Sequence, residues 1–193
     1  MFKIFISLLI TINLFALQES EIESFMEKNI NLVTKMLQAK KYDKETIGKK
    51  IFEIFDPVFN YTLMARLSLG SRVWKTLSKE QKDEFVKSFT KKLKDSYISK
   101  LDLYNDETVI VKDLKKVKKN RIHLLTELKG SKDKYDVTYK FYKARNGEWY
   151  IYDVDVLGVS IIQTYRSSFS DFLKKHSFED LLKSLKNSKN STK

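Results

Sequence analysis

Asp153 and Asp155, in the stretch WYIYDVDVLGVS, are the two carboxylates whose spacing most resembles an acid–base pair. On a strand, residues i and i+2 project from one face, as shared proton work would require. A glycosidase pair, however, faces itself across the substrate at about 5 Å or more and usually comes from separate elements. The plainer reading is a solvent-facing pair, both aspartates outward and answered by lysines on neighbouring strands. Two histidines are the other candidates for proton transfer near neutrality. His123 alternates onto the polar face of a strand, and His176 sits at a helix C-terminus, where a cation complements the helix dipole. Neither has the spacing of a metal site. Phosphate-binding glycine loops, a nucleophile elbow and an HExxH pair are missing. There is no cysteine, which removes thiol nucleophiles and thiolate ligands. The expectation is therefore no catalytic residue, no metal and no cofactor.

The elements that must position these groups can be read from periodicity. In IESFMEKNINLVTKML, Ile22, Phe25, Met26, Ile30, Val33, Met36 and Leu37 recur at helical spacing. Asp43 is placed to cap a second helix through Ile47, Ile51, Ile54 and Phe55. Asp56-Pro57 reads as a cap with proline at the first helical position, predicting a third helix that stops at Gly70. SKEQ, with Ser78 and Gln81, fits a capping box for a long helix carrying Phe85, Phe89, Leu93, Tyr97 and Leu101 on one stripe, with Tyr104 a turn later. From Glu107 the period becomes two, and ETVIVKDL, NRIHLLTELKG, KYDVTYKFYKA and GEWYIYDVDV read as four strands. Short connections make them an antiparallel meander. Ile122, Leu124 and Leu128 share one face of the second strand, and Tyr135, Val137, Tyr139 and Phe141 one face of the third. In the fourth, Tyr152, Val154 and Val156 form the expected inward set. After Gly158, Ser160 with Gln163 suggests another capping box, for a helix using Ile162, Tyr165, Phe169 and Leu173. A short helix follows Ser177.

The fold class expected is α+β, with a helical N-terminal half and C-terminal helices packed on one face of a four-stranded antiparallel sheet. Residues 1–16, MFKIFISLLITINLFA, have the charged start, apolar run and small final residue of a secretory signal. The run is short of the roughly 20 apolar residues that span a bilayer. Residues 17–187 then form one domain, and 188–193 a flexible tail. The net charge of +12 suggests an anionic partner, but the lysines are spread through every segment and mixed with Glu and Asp. No nucleic-acid motif accompanies them. Weak attraction to anionic lipid headgroups is the functional use they retain.

Two blocks carry a family resemblance. The first is IFD with MARLSLGSRVWKTLSKEQKDEFVKSFTKKLKDSY, in which Phe55, Asp56, Leu69, Gly70, Trp74, Gln81, Phe85, Phe89, Leu93 and Tyr97 hold the characteristic places. The second is WYIYDVDVLGVSIIQTYRSSF, with Trp149, Asp153, Val154, Gly158, Val159, Ser160, Tyr165, Arg166 and Phe169. Together, from about Ile51 to Leu185, they resemble the MlaC family of periplasmic phospholipid-transfer proteins, also called toluene-tolerance or ABC-transporter auxiliary proteins. Leu157 departs from the family's common Glu, and Pro57 follows the FD.

The resemblance implies a monomeric periplasmic shuttle carrying diacyl phospholipid between outer and inner membranes as part of a lipid-asymmetry system. The acyl chains would lie in an apolar pocket between sheet and helices, with the headgroup exposed. The partners implied are an outer-membrane lipoprotein–porin complex and an inner-membrane ABC transporter with an MCE-domain subunit, with no nucleic acid. Two chains of about 16 carbons represent roughly 25 kcal/mol of exposure to water, which such a carrier must largely offset. On that reading the wall residues are Phe85, Phe89 and Leu93 of the long helix; Tyr135, Val137, Tyr139 and Phe141 of the third strand; Val154; and Val159, Ile162 and Tyr165 around the final turn and helix. The rival readings are a non-lipid envelope adaptor or chaperone, and a small-ligand binder or enzyme on a cone fold of the nuclear-transport-factor type.

Overall fold

A computed structural model describes residues 17–104, 106–131 and 133–187. The signal expected in residues 1–16 and the tail expected in 188–193 lie outside the described residues. Helices α1 (Ile22–Gln38), α2 (Lys44–Phe55), α3 (Tyr61–Leu69), α4 (Ser71–Thr76) and α5 (Lys79–Ile98) come first. Strands β1 (Thr108–Lys118), β2 (Arg121–Lys129), β3 (Lys134–Lys143), β4 (Trp149–Val156) and β5 (Val159–Ser160) follow, then α6 (Ile161–Leu173) and α7 (Phe178–Asn187). The strands form one antiparallel sheet in the order β1-β2-β3-β4-β5. The architecture is α+β, with a fifth, two-residue strand where the sequence predicts four.

Local side-chain chemistry sets most helix starts. The Asp43 carboxylate accepts from Thr46 N at 2.9 Å and begins α2. Ser78 and Gln81 form the reciprocal capping box of α5. Gly70, at φ +85°, ends α3 and begins α4, a conformation that L side chains rarely adopt. The third helix differs from expectation. Asp56–Val58 is a single 3-10 turn, Phe59 is extended, and α3 starts only after Asn60. The cause is a distant strand: Phe59 bridges Ile151, and Asn60 N donates to Ile151 O at 2.9 Å. Asn60 then caps α3 through Leu63 N at 2.8 Å.

Two apolar clusters form the core. One joins α3, α5, α6 and α7 through Met64, Leu69, Phe85, Phe89, Ile162 and Phe169. The other joins α1 to the inner sheet face through Met26, Ile30, Ile122, Leu124, Phe141 and Ile151. Phe59 and Ile161 touch both clusters, so the helical lobe and the sheet share one seam.

The faces of β4 need correction. Its register against β3 shifts between Lys140 and Phe141, so that Tyr139 pairs with Val154 but Phe141 with Ile151. The extra residue in β4 changes which alternate side chains face the core. Ile151 and Val154 are buried on the inner face. Tyr152, expected inward, instead stacks edge-on to Tyr142 on the other face, where Arg121 lies 5.2 Å from its ring centroid. Val156 is exposed.

Candidate functional site

Asp153 lies at the junction of sheet and helix, buried rather than facing solvent. Its Oδ1 accepts from Val154 N at 2.9 Å and from Ile162 N at 3.2 Å. Its Oδ2 accepts from Ser160 Oγ at 2.7 Å and from Lys140 Nζ at 3.1 Å. Ser160 in turn caps α6, accepting from Gln163 N at 3.0 Å. A carboxylate is thus fixed on a free amide in the first turn of α6, that of Ile162, where it complements the helix dipole. Asp155 meets Lys140 at 2.6 Å. The expectation that lysines answer this pair holds, but burial of Asp153 replaces the solvent-facing reading. Burial alone would lower the Lys140 ammonium, yet its contacts with Asp155 and Asp153 outweigh that and raise it above its ordinary value. Every oxygen of Asp153 is engaged in holding α6, so the pair builds structure.

His123 pairs with Lys140 on the outer face of the sheet. Burial and the neighbouring ammonium lower its imidazole below the ordinary value, leaving it neutral at pH 7. Among the described residues there is no group of three His, Asp or Glu side chains that could hold a metal.

The eleven predicted wall residues fall into three groups. Phe85, Phe89, Leu93, Ile162 and Tyr165 belong to the helical cluster. There, Phe89 meets the Tyr165 ring edge-on at 5.2 Å between centroids, and Phe85 meets Phe169 edge-on at 5.8 Å. Val137, Tyr139, Phe141 and Val154 belong to the sheet cluster, with Tyr139 opposite Val154 and Phe141 opposite Ile122. Tyr135 and Val159 belong to neither. Val159 sits in β5 at the tip of a hairpin rather than in the wall of an interior, because the chain turns back along β4 before α6 begins. The interior also takes in Phe59, Ile161 and Ile151, which sequence periodicity did not single out. Phe59 was masked by the proline signal before it, and Ile151 by the bulge.

Accessibility along the inner sheet face is graded. On β4 it rises from 0% at Ile151 through 8% at Val154 to 38% at Val156. On β3 it rises from 0% at Phe141 to 37% at Tyr135. The apolar face is therefore closed at one end, beneath α1 and Trp149, and open at the other, where β3 begins and β4 ends. Three phenols lie near the seam, and one of them, Tyr97, is within reach of the Asp153 carboxylate. Burial pushes Tyr139 up to about 12 and raises Tyr97 and Tyr165, so all three are neutral hydroxyls at physiological pH. A shallow depression of 440 Å³, lined by Thr62, Trp74, Lys79, Lys82, Asp83, Val86 and Lys87, lies on the α4–α5 surface and includes none of the predicted wall residues. In this conformation nine of the eleven predicted wall residues pack within the two clusters. The arrangement offers an apolar, largely aromatic interior with one open end, bordered at the sheet–helix junction by the Asp153–Lys140 pair and suited to long apolar groups.

Comparison with known proteins agrees with this geometry. A solved structure, the phospholipid-binding protein from Ralstonia solanacearum in complex with a phospholipid, has the same fold with a TM-score of 0.71. It is 18% identical, and the match covers 84% of this chain and 93% of that one. No curated protein matches the chain. The sequence profile described as MlaC protein matches residues 23–187, nearly all of the described chain. The chain belongs to the MlaC family.

Proposed function

We propose that this protein is a phospholipid carrier that moves diacyl phospholipid between the outer and inner membranes as part of a lipid-asymmetry system. The single observation that carries the reading is the apolar seam between the two clusters, continuous with a sheet face that opens to solvent at one end. Acyl chains entering there displace side-chain contacts between the lobes and leave the headgroup in water. Phe59 and Ile161 touch both clusters, and the Asp153 bonds to Ser160 and Ile162 keep α6 on the sheet while acyl chains enter between the walls. Family membership and the fold of a phospholipid-binding protein support the choice of cargo. Among the described residues, no helix is long and apolar enough to cross a membrane.

Residues 17–187 act in this reading as one monomeric, lipid-binding unit in the periplasm, exported by the segment that precedes it. It takes no cofactor and carries out no catalysis. Its partners are an outer-membrane lipoprotein–porin complex and an inner-membrane ABC transporter with an MCE-domain subunit. Nine of the eleven residues named above, with Phe59, Ile151 and Ile161, supply the surfaces from which the acyl path is built, and Tyr135 and Val159 stand at its open end.

The test is transfer of a fluorescent phospholipid from donor to acceptor vesicles. The mature protein is expected to accelerate transfer. Val137→Glu, which sets a carboxylate on the half-buried inner face near its open end, is expected to slow it by about tenfold or more while circular dichroism stays native. No acceleration by the unmodified protein would sink the carrier reading. An undiminished rate in the variant would remove this face from the acyl path.

A further inference from the structure

We propose that the β4–β5 hairpin tip is a bilayer-contact element: Val156, Leu157 and Val159 enter the headgroup–acyl boundary of a membrane while cargo is exchanged. The inference rests on the carrier reading above and adds to it the surface through which cargo passes.

Leu157 is the unusual residue. Val156 pairs with Val159, so Leu157 and Gly158 are the two central residues of a hairpin turn, at φ +53° and +77°. Two positive φ values are the mark of a type I′ turn, which favours Asn, Asp or Gly at its first central position. A leucine there is sterically disfavoured, and it is also 59% exposed. Neither the turn nor the core accounts for it. Val159 is 61% exposed beside it, so the apex is a convex run of aliphatic side chains in water. Strain and exposure together at one residue point to a contact made outside the folded chain.

The tip is held ready. Leu157 N donates to Asp136 O at 2.9 Å, and Ser160, at the base of the hairpin, is tied to Asp153. Little ordering is needed when it meets a surface. Its position is the open end of the graded inner face, next to Tyr135, whose ring and hydroxyl suit a membrane interface. An acyl chain leaving a bilayer at this point would pass from lipid to tip to inner face without crossing a polar barrier. Charge favours an anionic bilayer as the occupant, since the chain carries a net +12. A fluid apolar medium also accepts a convex tip without a shaped partner.

The experiment uses the mature protein stripped of lipid and vesicles of phosphatidylethanolamine and phosphatidylglycerol. Leu157→Asn gives the turn its preferred Asn-Gly pair, so the fold is retained and the thermal midpoint does not fall. Vesicle partitioning is expected to drop about tenfold, the factor that one buried leucine side chain commands. In Leu157→Trp, the new indole is expected to shift its emission to the blue on vesicles and to be quenched by brominated acyl chains. Unchanged partitioning of Leu157→Asn, or an unshifted indole in Leu157→Trp, overturns the proposal. Loss of binding to an isolated envelope protein with vesicle binding intact overturns it too, in favour of a protein groove. Lipid recovered from the unstripped protein is measured in parallel: its absence counts against the carrier reading, whereas partitioning of the stripped protein alone decides the role of the tip.

Discussion

Removing the Asp153 carboxylate should unlatch α6 from the sheet, and the cost can be worked from its bonds. Four donors converge on it: Val154 N, Ile162 N, Ser160 Oγ and Lys140 Nζ. Its side chain is 9% exposed and that of Lys140 18%, so water cannot replace these bonds freely. Asp153→Asn keeps an oxygen for the two amides on Oδ1, and the Ser160 hydroxyl can turn to accept from the new amide. What is lost is the charged partner of Lys140, which still has Asp155 at 2.6 Å, and the anion at the helix start. That loss is about 1–2 kcal/mol. Asp153→Ala leaves the Ile162 amide unpaired and half of the lysine's ion pairing gone, for about 3–5 kcal/mol. Urea unfolding followed by far-UV circular dichroism measures both. The expected order is wild type, then Asp153→Asn, then Asp153→Ala. An alanine variant within about 1 kcal/mol of wild type would show that the latch does not hold the helix.

Three further outcomes follow from other sites. His123 is neutralised by burial and by Lys140, so below pH 6.5 the unfolded chain takes up a proton that the folded chain refuses. Stability should therefore decline as pH falls from 6.5 towards the lowered folded value, and His123→Gln should flatten that part of the urea-midpoint curve; coincident curves would remove the assignment. At Gly48 an added Cβ would sit 2.5 Å from Ile98 Cγ1, a close approach between α2 and the end of α5. Gly48→Ala should cost about 1–2 kcal/mol despite its better helix propensity, and pairing it with Ile98→Ala should recover part of the loss in a double-mutant cycle. Leu157→Asn should gain about 1 kcal/mol in thermal unfolding by relieving the left-handed leucine, and a loss would argue against the type I′ turn.

Features set by short-range hydrogen bonding could be read from the sequence. The caps at Asp43 and Ser78, the stop at Gly70, and the serine before α6 need only residues three or four apart. The meander follows from short turns, as at Asn146-Gly147. What escaped was decided across the chain. Phe59 is drawn out of a helix by Ile151, some ninety positions later. The bulge in β4 changes the facing of Tyr152 and Val154 relative to Ile151, and strict alternation has no means of marking it. Asp153 looked outward by that alternation, yet the return of the chain through β5 buries it under the start of α6. The same return carries Val159 from a presumed wall to an exposed tip. Of the site, the aromatic stripe Phe85, Phe89 and Leu93 was visible because helix period alone places it, whereas the seam between the clusters depends on Phe59 and Ile161.

The central claim is that this interior holds phospholipid. Native mass spectrometry of the mature protein purified from periplasm, with extraction and identification of what it carries, tests that most directly. The account predicts mass increments of diacyl phospholipid at one per protein, with mixed headgroups, because the acyl chains lie in the apolar interior and the headgroup stays in water. Protein that emerges lipid-free and takes up none from vesicles would contradict it.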